Sequence, residues 1–197
     1  MEKRSLTRPL EVRAAAAGSV RTVAGYAAVF NSRADIAGMF FEQIAPGAFG
    51  GTLADDVRAL VDHDTGRVIG RTKSGTLRLS EDANGLAVEI DLPDTSEGRD
   101  LATLIERGDI SGMSFGFEVT KQTWDETGDV PVRTIEAVKL YEVSAVAFPA
   151  YDDTSLAMRS LEAARGEKKK HNFNAAAMRR RMKAHLDLKL IGSKAAP

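Results

Sequence analysis

The sequence predicts a mainly β protein with some α: an α+β chain whose strands form a barrel or a strongly bent sheet. Three observations predict it. Between Val57 and Leu92, short apolar runs alternate with turn-forming stretches, the pattern of a meander. Elsewhere apolar residues recur at every second position, as they do when one face of a strand is buried. Seventeen glycines and only 6% aromatic residues suit a chain with many turns.

Residues 1–19 are charged and then alanine-rich, ending in Ala14–Gly18, and read as a flexible leader. Val20 to Phe30 reads as a strand, because Val20, Thr22, Tyr26, Ala28 and Phe30 fall at even positions. A polar loop begins at Asn31-Ser32. Phe40 to Ile44 is a short strand stopped at Pro46, and that proline suits the first turn of a short helix from Gly47 to Leu53. Val57–Val61, Val68–Arg71, Leu77–Ser80 and Leu86–Leu92 read as further strands. Turns lie at Lys73-Ser74-Gly75 and Asp82-Ala83-Asn84-Gly85, where Asn84-Gly85 is a hairpin signal.

Thr95 or Ser96 can cap a helix that carries Leu101, Leu104 and Ile105 at helical spacing and stops at Gly108. A glycine turn then leads into a strand in which Phe115, Phe117 and Val119 share one face and Ser114, Gly116 and Glu118 the other. Lys121 to Val130 reads as a polar hairpin tip, and Val132 to Ile135 returns as a strand. Ala137 to Phe148 is the most strand-like run, with Val138, Leu140, Glu142, Ser144, Val146 and Phe148 on one face. Thr154–Ala164 and Ala175–Ile191 are compatible with helices, the second basic and amphipathic, around a solvated linker Gly166–Lys170. The organisation is thus a body over 20–150 between the leader 1–19 and a basic helical tail 151–197.

The chain has no cysteine, so disulfides, thiolate metal sites and cysteine nucleophiles are excluded. No apolar run approaches a membrane span, and the N-terminus lacks the apolar core of a signal peptide, so the expected home is the cytoplasm or a particle assembled there. The net charge of -1 hides an asymmetry. Residues 159–197 carry a net +8, residues 1–13 a net +2, and residues 14–158 a net -11. An acidic body with a basic tail points to a separate partner for the tail. The basic stretch 159–197 has one aromatic residue, Phe173, and no recognised nucleic-acid reader motif, so it reads as a solvated or docking segment rather than a nucleic-acid binder.

Chemistry concentrates at three places. His63 is the one histidine of the body and opens a loop at the end of an apolar strand. Ser114 starts a strand beside glycines that leave room for a second backbone; the plainer alternative is a serine that bonds a nearby backbone group. Glu142 is a carboxylate aligned with apolar neighbours, a costly placement unless it is paired. A serine needs a base within reach, imidazole suits that work, and a buried carboxylate can orient the imidazole. Spacing alone does not show that the three meet.

The motifs that hold these residues resemble the prohead proteases of tailed bacteriophages. They are Val61-Asp62-His63-Asp64, Ser111-Gly112-Met113-Ser114-Phe115-Gly116-Phe117, and Leu140-Tyr141-Glu142-Val143-Ser144 with Phe148-Pro149-Ala150, preceded by Gly25–Phe30 and Ile44–Phe49. The similarity runs in order from about Val20 to Ala150. It implies a serine endopeptidase with a bent β-barrel flanked by helices, like the herpesvirus assembly protease. His63 is then the general base and Ser114 the nucleophile. Herpesvirus enzymes use a second histidine as third member; the body offers none, and Glu142 is the candidate, with Asp64 second.

No cofactor is implied. The implied partners are the major capsid protein or its scaffolding segment, and the scaffold; a homodimer follows by analogy with the herpesvirus type. The implied place of action is the immature capsid in the host cytoplasm, with self-cleavage near the ends of the body. Oxyanion donors would come from the Arg67–Arg71 region or from a backbone amide near Ser114. The competing expectation is a non-enzymatic capsid assembly factor that docks through its basic tail.

Overall fold

The computed structural model describes residues 1–6, 10–13, 21–148, 162–163 and 165–166. The chain divides into two compact units, Met1–Thr154 and Ser155–Pro197. In the second unit, Glu162–Ala163 and Arg165–Gly166 are helical. The rest of the tail, including the helix expected over Ala175–Ile191, lies outside the described residues.

The first unit contains eleven described strands and one described helix. They run β1 (Glu2–Leu6), β2 (Glu11–Arg13), β3 (Thr22–Val29), β4 (Ala34–Ile36), β5 (Phe40–Ile44), β6 (Arg58–Val61), β7 (Asp64–Arg71), β8 (Leu77–Glu81), β9 (Gly85–Asp91), α1 (Ser96–Glu106), β10 (Gly112–Asp125) and β11 (Val132–Val146). The fold is therefore mostly β with little helix. One sheet runs β1-β10-β11-β5-β4, with β6 joined to β11 and β7 to β6; the other runs β2-β3-β9-β8. Among the described residues neither sheet closes on itself into a barrel by hydrogen bonds.

β11 is the spine of the larger sheet. One long edge faces β10 in antiparallel register. The other carries two different parallel partners, β5 along Val132–Ile135 and β6 along Glu142–Ala145. Between them the chain of turns after Pro46 serves the exposed backbone: Val138 N–H donates to the Ala48 carbonyl at 3.1 Å and Leu140 N–H to Thr52 Oγ1 at 3.0 Å. Buried backbone donors need such partners wherever a strand is missing. This stretch was expected to be a helix. It is a succession of turns instead, closed by three-residue backbone bonds such as Gly50 N–H to the Gly47 carbonyl and Thr52 N–H to the Phe49 carbonyl, with Gly47 at φ +87°.

Most elements sit where their patterns put them. β5 has the expected bounds, and α1 is capped by Thr95, whose hydroxyl accepts from Gly98 N–H, with Gly108 following its end at φ +80°. The Asp82–Gly85 turn is fastened by the Asp82 carboxylate, which accepts the N–H groups of Asn84 and Gly85. The two strands expected at 132–135 and 137–148 are one strand, and the expected hairpin tip is strand as far as Asp125. Phe148 lies past the end of β11 and is 89% exposed.

The core unites side chains of both sheets and α1, among them Phe30, Phe49, Phe115, Phe117, Ile90 and Leu101. Phe115 packs edge-on against Phe49 at 5.6 Å and stacks on Phe117 at 4.7 Å. Each such buried aromatic contributes roughly 1.5–3 kcal/mol of transfer free energy. The phenylalanines that alternate with Ser114 thus fix β10 in the core and hold the opposite face of the strand in place.

The largest departure from expectation is at the N-terminus. Residues 2–6 and 11–13 fall in the stretch read as a flexible leader, yet they form β1 and β2. β1 lies antiparallel on β10, from Glu2 opposite Phe117 to Leu6 opposite Met113. Its charged residues do not stay in water: Glu2 is 8% exposed and Arg4 3%. They enter a buried cluster with Glu42 and Arg133, two cations against two carboxylates. Arg133 Nη1 lies 2.8 Å from both Glu2 Oε2 and Glu42 Oε2. Burial pushes the Glu2 carboxyl up, but the hydrogen bond and charge of Arg133, joined by Arg4, outweigh it and hold the group below its ordinary value.

Candidate active site

His63 sits in a two-residue turn. β6 and β7 form a hairpin in which Val61 pairs with Asp64, leaving only Asp62 and His63 between them. Both have positive φ, 47° and 60°. A two-residue hairpin needs that geometry at both central positions, and asparagine and glycine usually supply it. The turn is pinned to β11: Asp62 N–H donates to the Ala145 carbonyl at 3.0 Å, and Ala147 N–H donates to Asp62 Oδ1 at 3.2 Å. The imidazole thereby projects from a fixed corner.

Glu142 meets it there. Its Oε1 lies 2.7 Å from His63 Nδ1. Its Oε2 accepts the Ser144 hydroxyl at 2.5 Å, and Ser144 Oγ in turn accepts the His63 backbone N–H at 3.3 Å. Ser144 was not singled out from the sequence as part of the site; its position two residues from Glu142 on the same strand face was the available signal. The Glu142 carboxylate is 5% exposed as a residue and fully engaged, which is how a buried acid becomes tolerable. With Glu142 accepting from Nδ1–H, the Nε2 lone pair is left as an acceptor. Asp64, the second candidate, is turned away: its Oδ1 accepts from Gly66 N–H at 2.8 Å.

Ser114 lies on the neighbouring strand and on the same side of the sheet. It pairs with Ser144, and Gly116 pairs with Glu142. Residues opposite each other across an antiparallel ladder share a face, and diagonal neighbours lie about 7–8 Å apart. Gly116 makes room for the acid. A Cβ at that position would lie 2.3 Å from Glu142 Oε1, so the open space that the sequence offers there is filled by a carboxylate rather than by a second backbone.

The structure brings His63 and Glu142 together, but it does not aim the Ser114 hydroxyl at the imidazole. Ser114 is fully buried beneath β1, and its single proton goes to the Arg4 carbonyl at 2.9 Å. In the Arg67–Arg71 region expected to offer oxyanion donors, the two arginine side chains are engaged elsewhere: Arg67 pairs with Glu97, and Arg71 holds Asp56 through two bonds of 2.7 and 2.6 Å.

Comparison with known proteins shows the family. Residues 8–169 match the family described as caudovirus prohead serine protease. The prohead protease of Enterobacteria phage HK97 is 35% identical over 149 residues, covering 70% of this chain and 60% of that protein. The chain therefore spans less than two thirds of that relative's length. The solved bacteriophage T4 capsid assembly protease superposes with a TM-score of 0.50 at 12% identity, covering 75% of this chain and 96% of the other, a likeness of fold. With the family's match running across the hairpin of His63, the strand of Ser114 and the strand of Glu142, the chain belongs to the caudovirus prohead serine proteases.

Proposed function

We propose that the chain is a serine endopeptidase of capsid maturation in which Ser114 is the nucleophile, His63 the general base and Glu142 the residue that orients the base. The observation that carries this is the His63–Glu142 contact on the sheet face that also bears Ser114, in a member of this family. In the reaction Ser114 Oγ bonds to the scissile carbonyl carbon as its proton passes to His63 Nε2. The peptide C–N bond then breaks, and the leaving amine takes that proton. Water, deprotonated by the same imidazole, releases the acyl group and restores the serine.

The substrates that fit are the scaffold or the scaffolding segment of the major capsid protein, cut inside the immature capsid in the host cell, together with the chain's own termini. A bent barrel of the herpesvirus type is the finer fold reading. It is supported by the register shifts that curve the β10–β11 ribbon and by the single core that both sheets share. A homodimer belongs to the same reading by analogy.

Co-expression of the chain with its capsid protein tests the proposal. The capsid protein is expected to shorten with the wild type and to keep full length with Ser114→Ala or His63→Ala. Processing that persists in Ser114→Ala would remove the assigned nucleophile; processing by neither wild type nor variant would favour the docking factor.

Gly116→Ala tests the geometry more finely. The added methyl must push the Glu142 carboxylate off Nδ1, and a displacement of about 1 Å costs on the order of 10²-fold in rate. The low-field proton resonance of the His63 Nδ1–H is expected to shift or vanish in the same variant.

A further inference from the structure

The strand that covers Ser114 shows what the site can hold. Lys3 and Ser5 of β1 lie opposite Gly116 and Ser114, whereas Glu2 and Arg4 lie opposite Phe117 and Phe115 and share their face. The Arg4 backbone thus presents its carbonyl to the Ser114 hydroxyl while its side chain runs to the other face of the sheet. There the guanidinium is gripped as a fork: Nε donates to Glu42 Oε1 at 2.6 Å and Nη2 to Glu42 Oε2 at 3.1 Å. The Phe117 ring lies 5.8 Å from its centre. Arg133 holds Glu42 from a third strand.

Two further contacts come from β1 itself, Nη2 donating to Glu2 Oε2 and Nη1 to the Lys3 carbonyl, each at 2.8 Å; the fork on Glu42, with Phe117 and Arg133, comes from other strands and persists when β1 departs. A forked carboxylate of this kind suits the planar guanidinium better than an ammonium. A small cleft of about 40 Å³, lined by Ala27, Ser32 and Gln43 as well as by Arg4, Ser5 and Glu42, lies at the same place.

We propose that β1 stands where the substrate binds. An extended peptide adds to the β10 edge in the β1 register, and Glu42 selects an arginine at the position whose carbonyl meets Ser114. This rests on the protease reading. The bond hydrolysed is then the C–N bond after that arginine, the arginyl carbonyl gaining the hydroxyl of water and the released amine its hydrogen. While β1 occupies the edge, the enzyme is held inactive.

Binding can be read apart from hydrolysis. The probe is a fluorescein-labelled peptide with the sequence of residues 1–8 of this chain. It is titrated by anisotropy into the full-length chain carrying Ser114→Ala with Arg4→Ala, the second change loosening β1. Arg4→Lys, which keeps the charge and loses the fork, replaces Arg4→Ala if that variant does not fold. Saturable binding is expected, and a peptide with leucine in place of Arg4 is expected to bind about tenfold more weakly or worse. The chain with Ser114→Ala alone, its β1 intact, is expected to bind the arginine peptide more weakly by a similar factor.

Equal affinity for the arginine and leucine peptides, or no binding of either, overturns the proposal. The capsid co-expression separates the two readings. Ser114-dependent processing without an arginine preference removes this inference and leaves the protease. An arginine preference without Ser114-dependent processing leaves the binding edge and removes the protease.

Discussion

Glu142→Gln is expected to lower the rate of peptide hydrolysis about 10⁴-fold with the fold intact, while Ser114→Ala and His63→Ala each lower it on the order of 10⁶-fold. The difference follows from what each group does. In the proposed mechanism Ser114 and His63 exchange the proton and Ser114 forms the bond, so removing either leaves only binding and the oxyanion donors. Glu142 sets the imidazole. It accepts from Nδ1 at 2.7 Å and is itself fixed by Ser144 at 2.5 Å. A glutamine of the same shape can offer its amide N–H to Nδ1, which places the ring proton on Nε2, where the base must be bare. The loss is therefore expected in the chemical step, with kcat falling and KM nearly unchanged. Initial rates on a peptide of the capsid scaffolding segment would show it. A Glu142→Gln enzyme with wild-type kcat would remove the orienting role.

Arg133→Met is expected to destabilise the fold by about 3–5 kcal/mol, the cost of leaving buried carboxylates without their cation. Against a total stability of roughly 5–15 kcal/mol this is a large share. Arg133 is 1% exposed and bonds Glu2, Glu42 and Gln122. Without it, two acids share the single cation Arg4. The double variant Arg133→Met, Glu42→Leu restores one acid to one cation and is expected to recover part of the loss. Urea midpoints of the three chains measure both effects.

The cluster also sets an acid limit. Because the Glu2 pKa is lowered in the fold, its stabilising contribution is complete above the ordinary carboxylate range and fades as pH falls through the lowered value. Acid below the ordinary carboxylate range is thus expected to loosen β1.

Local pattern was enough for much of this molecule. The alternation in Phe40–Ile44 and the cap, apolar spacing and glycine stop around Ser96–Glu106 are short-range signals, and the chain obeys them. Glu142 was legible as an acid among apolar neighbours, because burial of a charge demands a partner. β1 was not legible. Glu2, Lys3 and Arg4 read as a solvated leader, and what buries them lies far away: Glu42 is 38 residues from Arg4, and Arg133 is 131 from Glu2. Ser114 stood open between a nucleophile and a serine bonded to backbone. The structure shows the backbone bond, to Arg4, where the proposed mechanism would put a substrate carbonyl.

The Asp62-His63 corner has a consequence for anyone who evolves or redesigns the chain. Aspartate suits the first left-handed position, but histidine is not the best occupant of the second, and glycine there would relieve a strain of about 1 kcal/mol. A library screened for heat resistance alone would reward that exchange and discard the imidazole. Thermal selection and catalytic selection pull this one turn in opposite directions, so ancestral or consensus reconstructions of the chain should hold position 63 fixed.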